Sequence, residues 1–202
     1  MCVDSLAGLR AAEAGGAGRI ELCSRLDLGG LSPGLELLEG ALEAAALPLH
    51  VMVRTRPGGF VHPEAEIAAM EAEVRALRAR GVAGVVLGTL TNGGEVDTAA
   101  LARLRAAAGP LSLTFHRAFD AVEDPNASLE ELVRFGVDRI LTSGGAPDAF
   151  QGRLRLKELV ERARGRIVVM AGGGVRASNA AAILRDAGVE ELHGSVPFRL
   201  PR

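Results

Sequence analysis

The sequence predicts an α/β fold, a single-domain (β/α)8 TIM barrel of eight parallel strands spanning residues 1–202. Three observations predict it. Short β-branched or leucine-rich runs alternate with Ala/Glu/Arg-rich stretches of helical period along the whole chain. There are eight such runs with helical stretches between them, so neighbouring strands must pair in parallel through right-handed crossovers. A doubly wound open sheet, the other arrangement such alternation allows, usually has five or six strands. It typically carries a glycine-rich fingerprint in its first turn, and none is present here.

The elements follow in order. MCVD (1–4) leads into a helix over 5–15, and RIELC (19–23) into one over 34–46. LHVMVR (49–54) precedes a helix over 63–80, for which Pro63 followed by Glu64, Glu66 and Glu71 is the start signal. GVVLG (84–88) precedes 98–108, with Asp97-Thr98 as its start signal. LSLTFH (111–116) is followed by 126–135, and RILTS (139–143) by 149–164. RIVVMAG (166–172) is followed by 176–187, with Ser178-Asn179 as the expected cap, and ELHGS (191–195) is the last strand. Gly81, Gly109, Gly136, Gly165 and Gly188 stand where helices end. After ELHGS only VPFRLPR remains, so the last helix is expected to be truncated or missing. An apolar seam left between the last and first strands favours a homo-oligomer.

Composition narrows the function classes. The 23 Lys and Arg against 25 Asp and Glu give a net charge of −2 without a basic run, which gives nucleic acid nothing to bind. With six Phe and neither Trp nor Tyr, stacking platforms are scarce. No apolar run approaches a membrane span of about 18 residues. No charged segment followed by an apolar signal core opens the chain, and two cysteines make no disulfide framework. A cytoplasmic protein without a membrane partner is expected.

Side-chain parity then separates two faces. Ile20, Leu22, Leu49, Val51, Val53, Leu113 and Phe115 share the parity expected to meet the helices. Glu21, Cys23, His50, Met52, Arg54, Thr114, His116 and His193 take the other parity, pointing into the barrel. A buried polar group costs about 1–3 kcal/mol unless bonded, so such a concentration on one parity predicts a polar network. In these barrels that network becomes a site at the C-terminal mouth.

His116 is there the candidate general acid or base, with Glu21 orienting it or sharing its proton and Asp120 fixing the imidazole from the loop. Arg54 and Arg56 in VRTRPGGF offer bidentate forks for a carboxylate or phosphate. For Arg56 a local salt bridge to Glu64 or Glu66 is the competing reading. Gly172, Gly173 and Gly174 expose backbone N–H groups at the seventh strand end, and Ser195 adds a donor at the eighth. His50, Arg117, His193, Thr142 and Ser143 complete the expected pocket. This constellation suits a TIM-barrel enzyme acting on a small anionic metabolite. Cys2 and Cys23, on adjacent strands near Met52 and His50, suit a soft ion such as Cu(I). Two free cysteines also serve as small buried core residues.

Seven segments together resemble one family, the CutC-type copper homeostasis proteins. They are CVDS (2–5), RIELCS (19–24), GGLSP (29–33), VRTRPGGF (53–60), TFHRAFD (114–120), ILTSGG (140–145) and AGGGVR (171–176). The resemblance covers essentially the whole chain. It implies a cytoplasmic, usually oligomeric (β/α)8 barrel with copper tolerance and copper-ion binding as its function. It also implies that Cys2 and Cys23 are the copper ligands. The chain departs from the family pattern at Thr55, where an RPRGGDF-like run is more usual, and over Gly59-Phe60-Val61-His62.

Overall fold

A computed structural model describes residues 1–195; VPFRLPR (196–202), where the truncated last helix is expected, lies outside the described residues. The strands are β1 (Cys2–Val3), β2 (Ile20–Leu22), β3 (Leu49–Met52), β4 (Gly84–Leu87), β5 (Ser112–Phe115), β6 (Arg139–Thr142), β7 (Val168–Gly172) and β8 (Glu191–His193). They form one sheet in chain order, every neighbouring pair parallel. A further parallel bridge joins Cys2 to Ser195, and the Cys2 N–H donates to the Gly194 carbonyl at 2.8 Å, which brings β8 back to β1. The result is the expected (β/α)8 barrel.

Seven helices link the strands: α1 (Leu6–Ala14), α2 (Leu35–Ala44), α3 (Glu64–Ala79), α4 (Thr98–Ala108), α5 (Pro125–Arg134), α6 (Arg153–Ala163) and α7 (Ala177–Ala187). Asp97 caps α4 as its position predicts, accepting from the Ala100 N–H at 3.0 Å. Two starts differ from expectation. α6 begins four residues late because Asp148 closes a local turn on the Gln151 N–H (2.8 Å) and Gly152 packs on the Ser143 backbone. α7 starts after Arg176, whose N–H donates to the Asn179 side chain at 2.8 Å, and Ser178 lies inside the helix.

The two parities separate as expected. Val3, Ile20, Leu22, Leu49, Val51, Val53, Leu113 and Phe115 are buried in the main core between sheet and helices. A small separate cluster of Cys2, Cys23, Met52 and Val86, with Leu26 against it, fills part of the barrel interior. Most (β/α)8 interiors are layers of Val, Ile and Leu. Here sulfur and polar groups share the interior with Val86 and Leu141.

Candidate functional site

The interior is best followed from its closure, where β8, β1 and β2 meet. Cys2 on β1 and Cys23 just after β2 are buried with their Sγ atoms 3.2 Å apart, and the Cys23 thiol also lies 3.6 Å from the Val3 carbonyl. The hydrogen bond to Cys23, burial and the nearby Glu21 charge push the Cys2 thiol well above its ordinary value. Gly30 leaves room for this group, since a Cβ there would meet the Met52 methyl at 3.4 Å and Cys23 Cβ at 3.6 Å.

Glu21 lies beside the pair, 6% exposed, with Oε2 3.2 Å from His193 Nε2. Burial alone would raise its carboxyl. The charge of the neighbouring His193 imidazole, with the nearby Cys2 thiol, brings it instead down to about 2. One ligand atom each from Cys2, Glu21 and His193 lies within 4.8 Å of the others.

Above this layer the barrel opens into a cavity of about 580 Å³ at the C-terminal end of the strands. His116 follows β5 and is buried in its wall. Its Nδ1 accepts from the Ala118 N–H at 3.2 Å, which places the imidazole proton on Nε2. That Nε2 is buried without a hydrogen-bond partner among the described residues. Burial first, then the Arg54 charge, lower His116 to about 3, so the ring is neutral. Phe60 lies against it tilted by 54°, with ring centroids 5.1 Å apart, and the Arg54 guanidinium lies 5.1 Å over the Phe60 ring.

Arg54 is committed to loops. Its terminal nitrogens donate to the carbonyls of Leu28 (3.2 Å), Gly30 (3.3 Å) and Gly58 (2.7 Å), tying the segments after β2 and β3. Arg56 faces away from the cavity and grips both Glu66 oxygens at 2.8 and 2.9 Å, the local salt bridge weighed against anion binding. Asp120 does not touch His116. It accepts from Thr142 Oγ1 (2.5 Å), the Ser143 N–H (2.9 Å), the Gly145 N–H (3.2 Å) and Arg117 Nε (2.8 Å), clamping the β5 and β6 loops.

Arg117 reaches the glycine loop from the β5 end. It bonds Ser143 Oγ at 3.2 Å, and its guanidinium stands where a Gly173 Cβ would approach within 3.2 Å. The Gly173 and Gly174 N–H groups have no acceptor among the described residues, and both residues line the cavity. Gly172 does not line it. A Cβ there would sit 2.3 Å from Leu141 Cδ1, so its lack of a side chain makes space for Leu141 and His193. Ser195 lies exposed at the rim beside Cys2.

A second cavity of about 390 Å³ opens at the other end of the barrel, and Glu21 and His193 border both. His50 faces this lower space, not the mouth, and burial together with the Arg19 and Arg139 charges lowers it to about 4. Glu191 holds Arg19 at 2.5 Å and Arg139 at 3.0 Å, joining β8, β6 and the residue before β2 across the barrel floor. Arg19 and Arg139 escaped the sequence reading although both carry the inward parity of their runs. Phe60 escaped it as well, because a loop aromatic has no period to betray it.

Fold and interior together define a class: a (β/α)8 barrel whose hollow core is lined by thiols, imidazoles and paired charges. The sequence profile of the CutC family matches residues 1–197, and the chain belongs to that family. A CutC family protein of Mesorhizobium japonicum is 45% identical over 193 residues, 96% of this chain and 75% of that protein. The human protein named copper homeostasis protein cutC homolog is 44% identical over 195 residues, covering 96% and 71%. The crystal structure of the copper homeostasis protein CutC from Streptococcus agalactiae superposes with a TM-score of 0.91 at 34% identity, covering 96% of both chains.

Proposed function

We propose that this chain handles copper as a cytoplasmic, homo-oligomeric protein, taking Cu(I) as cargo at Cys2 and Cys23. The observation that carries the reading is the 3.2 Å contact between two buried thiols with Met52 in the same cluster. Thiolate and thioether donors select soft monovalent copper over hard cations, and a water-poor sulfur nest protects it from exchange. Metal–sulfur bonds near 2.3 Å for a first-row ion require the two sulfurs to spread somewhat on binding. Met52, a flexible unbranched side chain, accommodates that movement. His193, with a ring nitrogen within 4.8 Å of the Cys2 sulfur, is the imidazole available to assist.

The test is anaerobic titration of the reduced protein with Cu(I) against a competing chelator. One tightly held ion per chain, lost in the Cys2→Ser/Cys23→Ser double variant, is the expected result. Weak binding, or binding the double variant retains, refutes the assignment.

A second reading is favoured by one specific observation, the buried His116 Nε2–H that no described residue accepts. With Arg117 and the Gly173–Gly174 amides it frames the 580 Å³ cavity for a small phosphate or carboxylate metabolite. In that reading His116 serves as a neutral hydrogen-bond donor to a carbonyl or oxyanion, since its Nδ1 is occupied and its ring is not protonated. Glu21, paired with His193, takes no proton from it. A refuted Cu(I) site moves the assignment to this mouth.

A further inference from the structure

Cys2, Glu21 and His193 project from the three strands that close the barrel, and they bring one sulfur, one oxygen and one nitrogen to within 4.8 Å of each other. The contact between His193 Nε2 and Glu21 Oε2 is unusual in kind. At 3.2 Å it has the length of a hydrogen bond, yet the atoms are not aligned for one, and Nε2 remains buried without a hydrogen-bond partner. An imidazole held by a carboxylate merely for neutralisation points its N–H along the bond, because charge-assisted pairs are strong when aligned. Two ligand atoms this close that are not bonded to each other leave Nε2 free for a shared third partner.

The spacing suits a metal. Four-coordinate zinc with N and O bonds of about 2.0–2.1 Å sets neighbouring ligand atoms about 3.3 Å apart along a tetrahedral edge. The observed 3.2 Å matches it, and a sulfur lies within reach of the same centre. A mixed sulfur, nitrogen and oxygen set is that of a borderline divalent ion, not of Cu(I), whose ligands are uniformly soft. Three protein ligands leave one tetrahedral position open, and all three border the C-terminal cavity that His116 and Arg117 also line.

We propose that Cys2, Glu21 and His193 form a three-ligand site for a zinc-like divalent cation whose fourth position faces the 580 Å³ cavity. The site does not rest on the copper reading. It borrows one sulfur from the thiol pair but uses neither Cys23 nor Met52, so a single chain holds one ion or the other. Three-ligand sites with an open position are those that bind and polarise an exogenous oxygen ligand, whereas structural zinc sites are closed by four protein ligands.

The reduced, metal-free protein is titrated with Co²⁺, whose visible spectrum reports both tetrahedral geometry and thiolate bonding, and the ion is then displaced with Zn²⁺. One Co²⁺ per chain is expected, with a sulfur charge-transfer band and the strong visible bands of four-coordinate cobalt. Cys2→Ser removes the charge-transfer band, and His193→Ala weakens binding by at least about a hundredfold, as loss of a direct ligand should. Cys23→Ser leaves both signals in place while abolishing Cu(I) uptake, so failure of this site and failure of the copper site read out separately. X-ray absorption of the wild-type zinc form needs no variant to fold, and is expected to show one sulfur among N/O neighbours. Two sulfurs, no uptake of Co²⁺, or uptake insensitive to His193→Ala in a variant of native circular dichroism overturns the proposal.

Discussion

Gly88 and His116 occupy one space on neighbouring strands, and the glycine is what lets the imidazole sit in the cavity wall. A Cβ at Gly88 would lie 2.5 Å from His116 Nδ1 and 3.1 Å from the Ala118 Cβ. Gly84 makes the same allowance for His50, at 2.6 Å. Gly88→Ala must therefore push the ring from its place and break the Ala118 N–H bond, an overpacking error that costs about 1–3 kcal/mol. In a His116→Ala background the same methyl meets no ring and costs less. A double-mutant cycle by urea unfolding should return a coupling of at least about 1 kcal/mol. Additive losses would mean that Gly88 serves the strand and not the histidine.

Between residue and barrel stand the loops, where Asp120 acts as a clamp across the β5 and β6 ends. Five polar groups converge on its carboxylate, from Arg117, Thr142, Ser143 and Gly145. Asp120→Ala leaves these donors without an acceptor and is expected to cost about 2–3 kcal/mol. Amide hydrogen exchange should quicken at Ser143 and Gly145, while the His116 ring resonances stay where they are. A shifted His116 resonance would restore the role in orienting the imidazole that the sequence suggested. The sequence could bring Asp120 and His116 to the same end of the barrel, but not say which neighbour either would choose. Alternation of apolar runs gave the eight strands and seven helices, because period is a local property. Parity gave the inward faces of β2, β3, β5 and β8 for the same reason. Height along the barrel axis was out of reach, because strand tilt and stagger fix it, and those come from closure of the whole sheet. Glu21 therefore meets His193 and not His116, and His50 falls to the lower cavity. Arg54 carried the right parity, but the carbonyls of Leu28, Gly30 and Gly58 that claim it lie in aperiodic loops.

Across the whole molecule, the polar interior makes stability depend on pH. His116 and His50 are held neutral, lowered by burial and neighbouring arginines to about 3 and about 4 from an ordinary 6.5. In the unfolded chain both protonate as pH falls below that ordinary value, while in the folded barrel these two rings take up no proton until pH nears 4. Between those limits the unfolded state binds more protons, so stability is retained above about pH 6.5 and is lost as the pH falls. Each histidine contributes a slope of about 1 kcal/mol per pH unit between pH 6 and 5. Glu21 acts in the same direction lower down. Its folded value of about 2 lies below the ordinary 4.5, so its stabilisation also vanishes as acid is added, but only beneath pH 4.5. Urea unfolding at pH 7, 6 and 5 separates these two histidines from Glu21, which acts only below that window. The wild type should lose stability steadily below pH 6.5, and a His50→Gln/His116→Gln variant should lose about 2 kcal/mol less per unit. Equal slopes in the two proteins would mean that the imidazoles are solvated or charged in the folded barrel. The neutral donor at the mouth would then have no basis.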